Sequence, residues 1–352
     1  MTDGNQNDEG EHTMDRRRLK VAVLSFAHTH AIGYCRLLAG RGDIELVTTD
    51  PDGASATDAA PRGRQLAELL GVAYVDSYAE ALAWGPDAVV VTAENARHRG
   101  LVELAAAAGA HILCEKPLAS TVEDADAMVA AAERAGVTLM TAYPVRFASS
   151  FRDACDRVRA GQLGTVIGVK GTNNGKIPLT DRAWFTDAAL SGGGALVDHV
   201  VHCADLLDEL LGELPTSVRA VSNRMLHAGS GVQVETGGLV TAVYPSGVIA
   251  TIDCSWSVPD SSPTWGGVTL QITGTRGSIT LAPFAQHVTG YDPVGEVWEG
   301  VGDDLDAAML GEFVSAVREG RAARPGGDVG VRTLRIVDAA QRSARTGQPV
   351  LL

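Results

Sequence analysis

The sequence predicts an α/β protein built in two parts: an N-terminal, doubly wound parallel sheet, then a C-terminal α+β half with a large, mostly antiparallel open sheet. Two observations support the first part. Runs such as "KVAVLS", "DAVVVTA" and "HILCE" are apolar at consecutive positions, as strands covered on both faces must be. Helical segments stand between them, so successive strands run the same way. A third observation marks the second part: after residue 147 the strands come in pairs joined by tight-turn sequences.

In order, the first part reads strand "KVAVLS", helix "THAIGYCRLLAG", strand "IELVTTD", helix "GRQLAELLG", strand "AYVD" and helix "YAEALAWG". It continues with strand "DAVVVTA", helix "HRGLVELAAAAG", strand "HILCE", helix "TVEDADAMVAAAERAG" and strand "VTLMTAY". Glycine closes the first two helices, and Thr121 is the expected cap of the last. The second part opens with helix "SSFRDACDRVRAGQLG" and strand "TVIGVKGTNN", then the glycine-opened helix "GGGALVDHVVHCADLLDELLG". Two hairpins follow, turning at Pro245-Ser246-Gly247 and Thr275-Arg276-Gly277, and two helices close the chain. The expected division is a disordered polar tail over 1–18, a nucleotide-binding half over 19–145, and a substrate and oligomerisation half over 146–352.

With 29 basic and 43 acidic residues the net charge is -14, which argues against nucleic acid or an anionic membrane as partner. No apolar run reaches the ~20 residues of a membrane span. Arg16-Arg17-Arg18 precede an apolar run too short for an export signal, so the cytoplasm is the expected location. The five cysteines are scattered and odd in number, as reduced thiols are.

Ligands on such a sheet bind beyond the carboxyl ends of the strands. The residues expected to matter are therefore Ser25 to His30, Asp50, Thr92 to Asn95, Glu115 to Pro117 and Tyr143 to Arg146. "HILCEKPLAS" delivers Glu115 and Lys116 to that edge, where a half-buried lysine can hold a substrate oxygen. Alone it reads rather as an ordinary solvated lysine closing a strand. Asp198 and His202 lie four apart on one helix face and form a candidate proton-transfer pair, with Asp205 and Glu209 continuing the stripe. Gly192-Gly193-Gly194 lets backbone pass close to a ligand. A metal site from Asp198, His199 and His202 is not expected, because His199 points about 100° away around the helix.

"CEKPLA", "WFTDAALSGGGALVDHVVHCADLL", "EFVSAVREG" and "SARTGQPV" resemble the glucose-fructose oxidoreductase, inositol dehydrogenase and rhizopine-catabolism (Gfo/Idh/MocA) family over nearly the whole chain. The resemblance implies a Rossmann domain, NAD or NADP as cofactor, and a sugar, sugar derivative or cyclitol as substrate. It implies a homodimer or homotetramer through the C-terminal sheet. By the same resemblance His202 is the base, Asp198 its orienter, and Lys116 the group that polarises the reacting oxygen. NAD-assisted cleavage of a glycoside and a non-enzymatic sensor remain alternatives.

Two departures stand out. Val200 occupies a position where the family usually has a small residue. Where the family shows G-x-G-x-x-G/A, this chain shows Ser25, Phe26, Ala27, His28, Thr29 and His30. Small side chains at 25 and 27 still admit a diphosphate, and the hydroxyls of Ser25 and Thr29 add donors, Thr29 also as a helix cap. Asp50 ends the second strand 25 residues after Ser25, near the ~20 expected for a carboxylate on the adenosine ribose. Left free, it would favour NAD over NADP, although Arg62 and Arg64 are near in sequence. Thr92, Asn95 and His98 follow the next long strand, where the nicotinamide ribose is reached in the family. Arg146, Asn173, Asn174, Lys176 and Trp184 are candidates for binding the sugar.

Overall fold

The computed structural model of the protein describes residues 17–55, 60–179 and 182–352. All but the last two residues of the expected tail lie outside them. The first half holds β1 (Leu19–Leu24), α1 (His30–Ala39), β2 (Ile44–Thr49), α2 (Gly63–Leu70), β3 (Ala73–Tyr74), α3 (Tyr78–Ala83), β4 (Ala88–Val91), α4 (His98–Ala107), β5 (His111–Cys114), α5 (Val122–Ala135) and β6 (Leu139–Thr141). These six strands form one parallel sheet in the order β3-β2-β1-β4-β5-β6. The order reverses between β1 and β4, and that crevice is where open α/β sheets bind ligands. Consecutive apolar residues are needed because the sheet is covered on both faces. Val21 and Val23 pack towards α1, while Ala22 and Leu24 pack towards α4 and α5. Thr121 caps α5 by accepting the amide of Asp124 at 3.1 Å.

The second half holds α6 (Ser149–Arg159), β7 (Val166–Gly175), α7 (Ala188–Ser191), α8 (Ala195–Leu211), β8 (Ser217–Asn223), β9 (Gly237–Val243), β10 (Ile249–Ser255), β11 (Gly266–Gly274), β12 (Gly277–Leu281), β13 (His287–Tyr291), β14 (Glu296–Gly300), α9 (Leu305–Glu319), α10 (Gly327–Thr346) and β15 (Val350–Leu351). Its seven-stranded sheet runs β12-β11-β7-β10-β9-β8-β15, antiparallel except where β7 meets β10. Inward positions such as Val240, Ala250, Ile252, Cys254 and Ile272 are buried beneath α8 and its neighbours. β13 and β14 pair only with each other. α9 returns to the first half, where Met309, Leu310 and Phe313 pack with the β1 and α1 side chains.

The glycines that open α8 make room for protein, not for a ligand. A Cβ on Gly194 would stand 2.0 Å from the Glu235 carbonyl oxygen, and one on Gly193 2.5 Å from Gln341. Glu235 caps the helix from afar, its Oε1 accepting the amides of Gly194 and Leu196 at 2.9 and 3.2 Å. Val200, expected as a departure, is simply core.

Arg146 also differs from its expected role. It lies away from the cleft and binds Asp205 through Nε and Nη2 at 3.0 and 2.6 Å, and Glu209 at 2.7 Å. The Asp205 and Glu209 end of the α8 polar stripe is thus held by a half-buried guanidinium. Burial pushes the Asp205 carboxyl up to about 6, Arg146 notwithstanding. Replacing Arg146 by Met strands that carboxyl and should cost about 3–5 kcal/mol in urea unfolding at pH 7.5. An unfolded Asp titrates near ~3.9, so the folded variant is the form that favours the proton. The deficit therefore shrinks as pH falls toward 6, below which parent and variant both hold the proton, and grows as pH rises above it; a pH-independent deficit would refute this account.

Candidate active site

The turn after β1 keeps the shape of a phosphate loop without its glycines. Ser25 has φ 72°, the left-handed region that glycine usually supplies. Three bonds hold its side chain there: its hydroxyl donates to Asp50 Oδ1 at 3.2 Å, and its Oγ accepts from the amide of Ala27 at 3.2 Å and from Arg62 Nη2 at 3.4 Å. Thr92, at the end of β4, donates its hydroxyl to the Ser25 carbonyl at 2.6 Å and accepts the His28 amide at 2.9 Å through its own carbonyl. Phe26 points into the core. Thr29 precedes α1 but makes no side-chain cap bond, contrary to expectation. Trp184 does not line the cavity; its indole donates to the Ala27 carbonyl at 2.9 Å and its ring stacks on Phe185 at 3.9 Å.

Asp50 is not free, which corrects the expectation for the ribose carboxylate. Arg62 grips it with Nε and Nη2 at 3.1 and 2.9 Å and reaches Glu94 at 3.2 Å. The amide of Gly63 adds a third bond at 2.9 Å. A buried carboxylate needs such a partner, and Arg62 is the cation that α2 brings back to this edge.

Beside the turn, His28, His30 and Glu115 place donor atoms within 4.8 Å of one another. Glu115 Oε1 receives the Tyr34 hydroxyl at 2.6 Å and lies 2.9 Å from His30 Nδ1. Burial alone would raise the Glu115 carboxyl, but His28, His30 and Lys116 hold it well below the usual range. This is the metal-capable group that the fold assembles among the described residues, rather than Asp198, His199 and His202. However, His28 Nδ1 accepts the backbone N–H of His30 at 3.1 Å. The ring proton then sits on Nε2, which is left as a donor with no lone pair for an ion.

Lys116 is buried and donates to Asp198 Oδ1 at 2.9 Å. Asp198 Oδ2 accepts the Trp256 indole at 3.1 Å and lies 3.2 Å from His199 Nε2. His199 Nδ1 donates to the Asn173 carbonyl at 2.9 Å, and the Asn173 amide donates to the His199 carbonyl at 3.1 Å. Burial works against ionising Asp198, yet Lys116 and His199 hold its carboxyl well below the ordinary range. Both carboxylate oxygens are therefore committed, and the expected orienting bond from Asp198 to His202 is not made. His202 stands edge-on to Tyr143, its Nδ1 without a partner among the described residues. Burial, then the Lys116 charge, keeps its imidazole well below the usual value and so neutral at pH 7.

Lys116, Asp198, His199 and His202 face one cavity of about 790 Å³, together with His28, Thr29, His30, Asn173 and Asn174. Its outer wall carries residues that sequence reasoning missed, notably Trp265, Phe284 and Trp298. The alternating "HVTGY" and "EVWEG" around "DPVG" were the available signal for the hairpin that bears Trp298. Lys176 points elsewhere, donating to the carbonyls of Asp260 and Ser262 at 2.9 and 2.7 Å. His98 is buried, with both nitrogens on the carbonyls of Ala93, Pro117 and Leu118, so it braces the Lys116 turn. Asn95 donates to the Ser191 carbonyl at 2.8 Å.

A dinucleotide fits this edge. The buried polar atoms His28 Nε2, Thr49 Oγ1 and Asn95 Oδ1 have no hydrogen-bond partner among the described residues. They cluster at the carboxyl ends of β1, β2 and β4, where such a cofactor lies on this sheet order.

Comparison with known proteins agrees. Residues 50–143 match the family model "Oxidoreductase family, NAD-binding Rossmann fold", and residues 151–280 match the GFO/IDH/MocA C-terminal domain. The 1,5-anhydro-D-fructose reductase of Ensifer adhaerens is 33% identical over 302 residues, covering 82% of this chain and 87% of its own. The D-apiose dehydrogenase of Paraburkholderia graminis is 29% identical over 302 residues, covering 79% and 76%. GenD2 from gentamicin A biosynthesis, solved in complex with NAD, superposes with a TM-score of 0.83 at 27% identity, covering 96% and 97%. The chain belongs to the Gfo/Idh/MocA oxidoreductase family.

Ser25 tests the turn directly. Ser25→Gly should retain the fold with stability within ~1 kcal/mol of the parent, strain relief offsetting the lost hydroxyl bonds. Ser25→Val should cost about 1–3 kcal/mol, since a branched side chain resists the left-handed region. Equal stabilities in guanidinium unfolding would contradict the strained turn.

Proposed function

We propose that the protein is an NAD(P)-dependent oxidoreductase that interconverts a hydroxyl and a carbonyl on a sugar, sugar derivative or cyclitol. The observation that carries the reading is a buried ammonium and a neutral imidazole facing one cavity at the carboxyl edge of a Rossmann sheet. The names of the relatives, a reductase and a dehydrogenase of sugars, support it.

The nicotinamide, when bound, accepts or returns the hydride. Lys116 Nζ donates a hydrogen bond to the reacting oxygen, and Asp198 holds that ammonium in place. His202, neutral and lining the cavity, takes the hydroxyl proton as the carbonyl forms and gives it back in the reverse direction. His28, Asn95 and Thr49 are the side chains with atoms left over for the cofactor, and the turn from Ser25 to His30 presents its amides and the start of α1. The cavity holds Asp303, Asp304 and Asp306 besides Asp198, so phosphorylated and acidic sugars are disfavoured.

No helix of the described chain is long and apolar enough to cross a membrane. The five cysteines are free and buried, which suits the cytoplasm. The outer face of the second sheet exposes Val221, Leu239 and Ile249, and a homodimer or homotetramer would cover it.

His202→Ala and Lys116→Met should each lower kcat by ~100- to 10,000-fold while NAD binding by calorimetry stays near normal. Sugar-dependent NADH formation surviving in both variants would end the assignment. Arg62 decides cofactor choice in this reading, because it neutralises Asp50. Arg62→Ala should leave the carboxylate free to repel a 2′-phosphate, lowering NADP affinity relative to NAD by about tenfold; an unchanged ratio in paired titrations would exclude that role.

A further inference from the structure

We infer that the substrate is a glycoside, its reacting ring held at Lys116 and a second, neutral sugar ring stacked on the aromatic wall formed by Trp265, Phe284 and Trp298. The inference rests on the redox reading above and adds the class of substrate. The reacting groups come from the end of β5 and from α8, on the inner side of the cavity. The three aromatic side chains come from elsewhere: Trp265 from the loop before β11, Phe284 from the segment after β12, and Trp298 from β14. Trp265 is 48% exposed and Phe284 43%. Large aromatic faces left open on a concave wall mark a ligand contact, and a pyranose offers a matching face of C–H groups.

Two of the rings, Trp265 and Trp298, are held in place. Lys176 ties the loop before Trp265 through the carbonyls of Asp260 and Ser262. Gly175 brings that ring to the reacting centre: a Cβ there would lie 3.3 Å from Trp265 Nε1 and 3.1 Å from His199 Cε1. Trp265 therefore stands beside the His199 and Asp198 pair, in the same cavity that Phe284 and Trp298 line. Trp298 is stacked on His287 across the hairpin, at 5.0 Å and 19°. That hairpin joins neither large sheet. An isolated two-stranded sheet is marginal in water, so its place over the cavity is not explained by core formation.

The chemistry of the wall selects the occupant. Gln286 and Thr264 stand beside the rings as partners for hydroxyls, and Asp303 and Asp304 stand at the rim. Lys116 is the one lysine or arginine lining the cavity among the described residues, and Asp198 already engages it. A phosphate or carboxylate on the second ring would find carboxylates and no cation; a neutral sugar ring finds stacking faces and polar edges.

The test compares NADH formation with D-glucose, D-galactose and D-xylose against maltose, cellobiose, lactose and trehalose, in the parent and in Trp265→Ala, Trp298→Ala and Trp298→Phe. At least one disaccharide should exceed its own monosaccharide about tenfold in kcat/KM, gained mostly through KM. In both alanine variants that ratio should fall by about the same factor, and Trp298→Phe should restore most of it. Monosaccharides turned over as well as disaccharides by the parent, or a ratio that survives both alanine variants, would overturn the second subsite and leave the redox reading standing. If no sugar of either size reduces NAD or NADP, this inference fails; the redox reading fails with it when inositols and the corresponding ketoses with NADH or NADPH are inert as well.

Discussion

The buried pair of Lys116 and Asp198 is the interaction on which the site depends. Lys116 belongs to the edge of the parallel sheet, and Asp198 to the first turn of the helix beneath the second sheet. Neither charge is stable alone in that setting, since removing one partner leaves the other buried and uncompensated. Together they bind the two halves at the point where the cavity opens. The pair also sets the state of its neighbours. Asp198 is locked as the anion, while His202, facing Lys116 without a carboxylate of its own, stays neutral and able to take a proton.

The turn after β1 shows how a loop can keep its geometry after losing the residues that usually permit it. Glycine gives freedom without contacts; Ser25 accepts a strained φ and is held there by Asp50 and by the amide of Ala27. Asp50 is in turn held by Arg62, so a chain of polar contacts takes over a task normally left to an absent side chain. The histidines add what glycine could not. His30 balances the buried Glu115, and His28 presents an Nε2–H donor whose tautomer is set by a backbone amide.

Away from the reacting groups, the cavity is shaped by side chains that never enter it. Lys176 ties down one loop, His98 braces the turn that carries Lys116, and Glu235 caps α8 across the triple glycine. Each engages backbone groups of the segments that frame the cavity. Polar residues near a site are thus divided between chemistry and scaffolding by where their hydrogen bonds end, and not by residue type.

Much of this was legible in the sequence. Apolar strand runs alternating with helices announced the parallel sheet, turn signals announced the two hairpins of the second, and "CEKPLA" with the Asp198 and His202 spacing marked the cavity. Local patterns carry such information because strand burial, turn geometry and helix faces depend on neighbours a few residues away. The sequence by itself thus determined the two-part architecture and singled out Lys116, Asp198 and His202 as candidates. Only the tertiary structure decided partners: that Asp198 serves Lys116, His199 and Trp256 instead of His202, that Arg62 takes Asp50, that Arg146 turns to Asp205, and that Trp265 and Trp298 share one wall. Those pairings join residues far apart in the chain. A buried charge takes whichever opposite charge or donor the fold brings within about 3 Å, and no local pattern records that choice.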